Sequence, residues 1–493
     1  MRFGWLTALA LALAAPAIAM AAETVATAAP ACTYSVTAKG KPANLSLDIE
    51  AECRPDIAEL DFAPEDRAAV DRVRTLDGRP AEPTSYGWRT GAGGLRYTVD
   101  LSRRVRAGGE SRDLVLTDDT LMAPLDTWLG MPEPTAANAA LLLKLRLPPG
   151  LLALHALAPA DGADDGRTFR LTAGGLAFAG YTVFSTRPGA TITVPGRHGR
   201  PAVITIHAAA SDFAPGEAAL VRWVRYFADL AAAYWQGFAT DRLLVAIVPT
   251  GDANKVVFGR SRGGGGATLQ LDVGRGVDLD TLYRRDWILT HELMHLAQPD
   301  LGRDGRWLME GMATYVEPLL RHFAGLYAAD AVWKEWWQGM PRGAHGLASG
   351  GLRRSNPYWS GALALLATNV AVAERTQGRR SLADAVRAGL TRAGNATQTA
   401  ETGALVRLYD RAMGGSELAD FVHRHELPTF FNLAGLWQQL GIGEQKGKLI
   451  YSNSEASARL RQWILSPPPG FRPPALPPEV AASLGLRPDT IPK

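Results

Sequence analysis

Two stretches constrain this 493-residue chain more than any others: ILTHELMHLAQP, Ile288 to Pro299, and WLMEGMATYVEP, Trp307 to Pro318. On a helix, residues four apart are separated by ~400°, so His291 and His295 stand on one face, one turn apart. Two imidazoles so arranged can share a zinc ion, and Glu292 can then reach a water on the metal's open side. His-x-x-x-His alone also describes two ordinary histidines on a partly buried helix. The Glu at the second position and the apolar neighbours Ile288, Leu289, Leu293 and Leu296 strengthen the metal reading.

A catalytic zinc keeps three protein ligands and one position for water. Pro299, Gly302 and Gly305 predict that the first helix ends and the chain turns into a second helix near Trp307. Glu310 falls in the first turns of that helix, with fourteen residues separating it from His295. Glu317 shares its face, but two turns rise ~10.5 Å, so both cannot bind one ion. Glu310 is favoured because Glu317 adjoins Pro318, where the helix is expected to end.

A chain of this length, 47% hydrophobic, buries more than one core. Its 52 basic and 49 acidic residues nearly cancel and form no long runs, which argues against nucleic acid or an anionic membrane surface as partner. The first residues carry Arg2, an apolar run from Trp5 to Ala15 and small residues at Ala17, Ala19, Ala21 and Ala22. This reads as a secretory signal peptide over residues 1–22, cleaved near Ala19 to Ala22, since the run is shorter than the ~20 residues of a membrane span. A periplasmic or secreted protein with no stable membrane insertion after cleavage is expected. Export puts Cys32 and Cys53, the two cysteines of the chain, in an oxidising compartment, and one disulfide between them is expected.

The pattern along the chain predicts a multidomain α+β protein. Residues 23–195 read as a β-rich domain of short runs such as LSLDIEAE, LRYTVDLS, LLLKLRLP and ATITVP, separated by turn residues. From 196 to 330 strands (AVITIHA, RLLVAIVPT, ATLQLDV) mix with helices, as in an α/β domain. Residues 331–450 are helical in period, and 451–493 form a Pro-rich tail, expected to be an extended strap or loose. His155, His198, His207, His322, His345, His423 and His425 are scattered and read as ordinary surface or core residues.

HELMH followed by WLMEGMATYVE resembles the gluzincin metallopeptidases of the aminopeptidase N type. The later segments YWSGALALLATNVAVAERTQGRRSLADAVRAGL and FVHRHELPTFFNLAGLWQQLGI are similar to the glycyl aminopeptidase family, so the resemblance covers roughly residues 196 to 443. It implies a thermolysin-like catalytic domain, one zinc per chain on His291, His295 and Glu310, Glu292 as general base, and a peptide or protein substrate. It also implies that Tyr358, three residues before Gly361, donates to the oxyanion, although in NPYW it also reads as a packing aromatic. The substrate strand it implies falls on RGGGGATLQLDV, with Gly265, Gly266 and Ala267 against the peptide. The Gly run by itself also reads as a flexible loop. That strand would carry a glutamate for a free α-amine, but Leu269 or Gln270 stands there.

The expected activity is therefore zinc-dependent peptide hydrolysis, aminopeptidase-like, with a zinc endopeptidase lacking the amine anchor as the alternative. A non-catalytic binding protein on the same fold would have lost ligand, base or oxyanion residues, and all five positions hold suitable types.

Overall fold

The computed structural model describes residues 29–486 apart from 92, 109–111 and 161–165, so the expected signal peptide lies outside the described residues. Among the described residues, no helix is long and apolar enough to cross a membrane.

The N-terminal third is built from three sheets of seven, four and three strands. Alternation drives the largest: in Cys32–Lys39 every second residue is buried, and the same holds through most of Ser46–Cys53. These two strands are antiparallel neighbours with Cys32 opposite Cys53, and the two cysteines form the expected disulfide.

The second unit is a five-stranded sheet in the spatial order Ala190–Val194, Ala202–Ala208, Arg242–Pro249, Ala267–Val273, Val256–Arg262. The three central strands are parallel and the two outer ones antiparallel to their neighbours. Leu243, Val245 and Ile247 and their neighbours pack beneath the crossover helix Glu217–Trp235, whose Trp223, Phe227 and Trp235 are buried. The segment ATITVP was expected to close the β-rich domain, but its strand pairs with Ala202–Ala208. The strand Ala190–Val194 therefore belongs to the second sheet, and not to the β-rich domain expected to run to 195.

His207 lies where the two units meet. Its Nε2 is 2.9 Å from Thr120 Oγ1 on the strand Thr120–Pro124, and it is 1% exposed. Burial, with help from Arg187, lowers its pKa to about 4, against the opposing charge of Asp119. A base whose folded pKa lies below its unfolded value of ~6.5 contributes stability that is full above that value and is lost as pH falls toward 4. The loss is on the order of 2–3 kcal/mol, at ~1.4 kcal/mol per unit. His207→Gln is expected to weaken the fall in thermal midpoint between pH 6.5 and 4; curves of equal slope for variant and parent would refute this.

Helices dominate from Arg306 onward. Arg306–Phe323 and Pro357–Thr376 approach closely because both are glycine at the crossing: a Cβ on Gly361 would lie 1.9 Å from the Trp307 carbonyl oxygen and 2.7 Å from Gly311 Cα. Two further expectations change. The helix carrying Glu310 continues past Pro318 to Phe323, with Leu319, Leu320 and Phe323 buried in the core, so apolar burial outweighs the missing N–H. The tail is part strap and part helix: residues 471–477 run without regular structure, with Phe471 and Leu476 against the core. It forms the helices Glu455–Ile464 and Pro478–Ser483 and buries Leu476, Val480, Ala481 and Leu484 in the main core.

Candidate active site

The HELMH helix, Ile288–His295, is capped by buried Asp286, whose carboxylate accepts from the N–H groups of Ile288 at 2.9 Å and Leu289 at 3.2 Å. Leu289, Leu293 and Met294 anchor it in the core. The helix Arg306–Phe323 packs beside it, and Glu310 points back between the histidines. Glu310 Oε2 is 3.3 Å from His291 Nε2 and 3.5 Å from His295 Nε2, and one atom from each of the three residues falls within a mutual 4.8 Å.

These separations bear on what could bind there. Metal–ligand bonds of ~2.0–2.2 Å at tetrahedral angles put ligand atoms about 3.4 Å apart. Two nitrogens and one carboxylate oxygen at such spacings match the donor set and spacing of a catalytic zinc site. Burial alone would raise the Glu310 carboxyl, but hydrogen bonds to His291 and His295 hold it well below the usual carboxylate range. Burial opposes the charge on His295, yet Glu310 and Glu292 outweigh it and raise its pKa.

Tyr358 enters from the N-terminus of Pro357–Thr376, where the Asn356 side chain accepts from the N–H groups of Tyr358 and Trp359. Its ring stacks on His291 at 5.9 Å and 25°. Burial and then the Glu310 charge raise its pKa, so the hydroxyl stays a donor at neutral pH.

A cavity of about 370 Å³ opens over this group. Glu292, His295, Glu310 and Tyr358 line one side, and the outer strand Val256–Arg262 lines the other. Gly259 of that strand sits so close to the helix that a Cβ would lie 2.4 Å from Ile288 Cγ2 and 2.6 Å from Glu292 Cγ. Backbone, and not side chain, thus faces Glu292 at this point. Phe178 and Ala396 also line the cavity, and the Ala396 carbonyl oxygen would be 1.6 Å from a Cβ on Gly263.

His291, Glu292, His295, Glu310 and Tyr358 are brought together; Gly265, Gly266 and Ala267 are not among the cavity's lining residues. The Gly run is instead a junction. Gly264 pairs with Ala179, and Gly265 at φ +70° and Gly266 at φ +150° lie against Leu157 and Ala156 of the N-terminal unit. Ala267 begins the inner strand and is fully buried. The strand beside the cavity precedes the Gly run, because Val256–Arg262 folds back antiparallel on Ala267–Val273.

Sequence reading missed Val256–Arg262 and Arg306. Arg260 pairs with Asp113 at 2.6 Å, and Arg262 pairs with Asp126 at 3.2 Å. Arg306, one turn before Glu310, lies 3.8 Å from it and lines the cavity. Its helical spacing from Glu310 was the available signal.

No protein-family model and no curated protein matches this chain. Solved structures do. An aminopeptidase N family protein from Idiomarina loihiensis is 12% identical with a TM-score of 0.61, over 84% of this chain and 79% of that one. A mutant M1 zinc metallopeptidase from Deinococcus radiodurans, bound to a Tyr-Ser-Ala substrate, is 16% identical with a TM-score of 0.50, over 82% of this chain and 94% of that one. The chain has the fold of the M1 zinc metallopeptidases. Multiple domains, mixed sheets and a helical C-terminal region agree with that architecture.

Proposed function

We propose that the protein is an exported zinc metallopeptidase, periplasmic or secreted, that holds one zinc on His291, His295 and Glu310. The observation that carries this reading is the convergence of three donor atoms with Glu292 and Tyr358 under a backbone-lined cleft. Bound zinc supplies a Lewis acid and brings the pKa of its water near neutral. Glu292 takes the proton of the attacking water and delivers it to the leaving amine. The Tyr358 hydroxyl donates a hydrogen bond to the oxyanion as the carbonyl carbon becomes tetrahedral. The outer strand's open edge accepts the substrate backbone as an added strand.

The likeness of the fold to the aminopeptidase N family protein from Idiomarina loihiensis favours an aminopeptidase-like enzyme. One observation favours a zinc endopeptidase instead: Val256–Arg262 bears no carboxylate for a free amine, only Arg260 and Arg262. Paired peptides differing only in N-acetylation separate the two. The aminopeptidase reading expects at least tenfold faster cleavage of the free amine, and equal rates overturn it.

A further inference from the structure

A second cavity, of about 670 Å³, opens on the other side of the same centre, with His291 and Tyr358 in its wall. Its mouth carries Trp287, which is 48% exposed, and Trp359. Glu317 and Glu335 also line it. Three carboxyls, Asp286, Glu317 and Glu335, cluster around one guanidinium, Arg321. Arg321 donates to Glu317 Oε1 at 2.7 Å and to the Arg284 carbonyl at 2.5 Å, and its buried Nε has no partner. Asp286 is committed to capping the HELMH helix. Glu335 accepts from the Tyr327 hydroxyl at 2.9 Å and has no ion pair among the described residues. Three carboxyls thus share one guanidinium, and burial raises the pKa of both Glu317 and Glu335.

The other cations lining this cavity do not fill that gap. Arg285 pairs with Asp280 at 2.6 Å, and Arg284 reaches Asp280 at 3.6 Å and the Leu484 carbonyl. Arg342 is exposed.

The direction of a bound peptide follows from the outer strand. Its Arg262 end lies with Gln298 and Ala396 in the first cavity, and Gly259 lies over Ile288 and Glu292. Antiparallel pairing, the more stable mode, puts the substrate's N-terminal side at the Arg262 end. The leaving-amine side then runs toward Trp287 and His291, into the second cavity.

Resting on the peptidase reading, we infer that this second cavity is the subsite for the residue on the leaving-amine side, and that Glu335 selects a lysine or arginine there. The two tryptophans offer π faces to its stem and charge, and Glu335 supplies the missing ion pair.

The test uses peptides identical except for lysine, norleucine or glutamate just after the scissile bond. Wild-type protein is expected to show at least a tenfold higher kcat/KM for lysine than for norleucine. In Glu335→Gln, which keeps the side-chain volume and an acceptor for Tyr327, the ratio should fall below threefold. A wild-type ratio near one, a ratio unchanged in the variant, or a preference for glutamate through Arg342 overturns the assignment. Calorimetric binding of the lysine and norleucine peptides to zinc-loaded Glu292→Gln protein reads the subsite without turnover. Absence of all hydrolysis with selective lysine binding would sink the peptidase reading and leave the subsite standing; equal binding would sink the subsite alone.

Discussion

Glu292→Gln should fold, keep its zinc and lose turnover by ~10²–10⁴-fold, the usual worth of a positioned general acid–base. The amide has nearly the shape of the carboxylate, and shape matters here because the Glu292 stem lies against the backbone of Gly259. Gln cannot take the proton of the attacking water, and the proposed ligands His291, His295 and Glu310 are untouched. Elemental analysis and kcat measured on one preparation decide the matter. Undiminished kcat in zinc-replete Glu292→Gln protein would remove Glu292 from its role.

His295→Ala should lose the metal itself. With its imidazole gone, the site retains one nitrogen from His291 and one carboxylate, too few for a catalytic zinc. Because a ligand that binds only the folded state stabilises it, chelator should lower the thermal midpoint of the parent protein. The same chelator should leave the midpoint of His295→Ala unmoved, with activity absent throughout. Stoichiometric zinc in purified His295→Ala would contradict the assignment of ligands.

What could be read from sequence follows from how local each determinant is. His291, Glu292 and His295 lie within two helical turns, and Glu310 is one short reversal away, so spacing alone brings them near each other. The strand Val256–Arg262 was invisible for the opposite reason. VVFGRSR has no clean alternation, since one face meets the HELMH helix through a glycine and its arginines are held by Asp113 and Asp126 more than a hundred residues earlier. Pro318 was read as a stop because its missing N–H is a local cost, whereas the burial of Leu319, Leu320 and Phe323 that offsets it is tertiary. The helices of the tail were hidden by its composition. Its prolines dominate the sequence, but Leu476, Val480, Ala481 and Leu484 are enough to seal it to the core.

The Gly run has a consequence for how such a protein can be recombined. A Cβ on Gly264 or Gly266 would lie within 3 Å of backbone atoms of Gly175, Phe178 and Ala156, too close for any side chain. These contacts sit at the start of the inner strand, immediately beside the strand that faces the cleft. A foreign N-terminal unit grafted onto this catalytic half would have to reproduce the backbone course of Ala156–Leu157 and Gly175–Gly180, whatever its side chains. Chimeras should therefore cross over outside that seam.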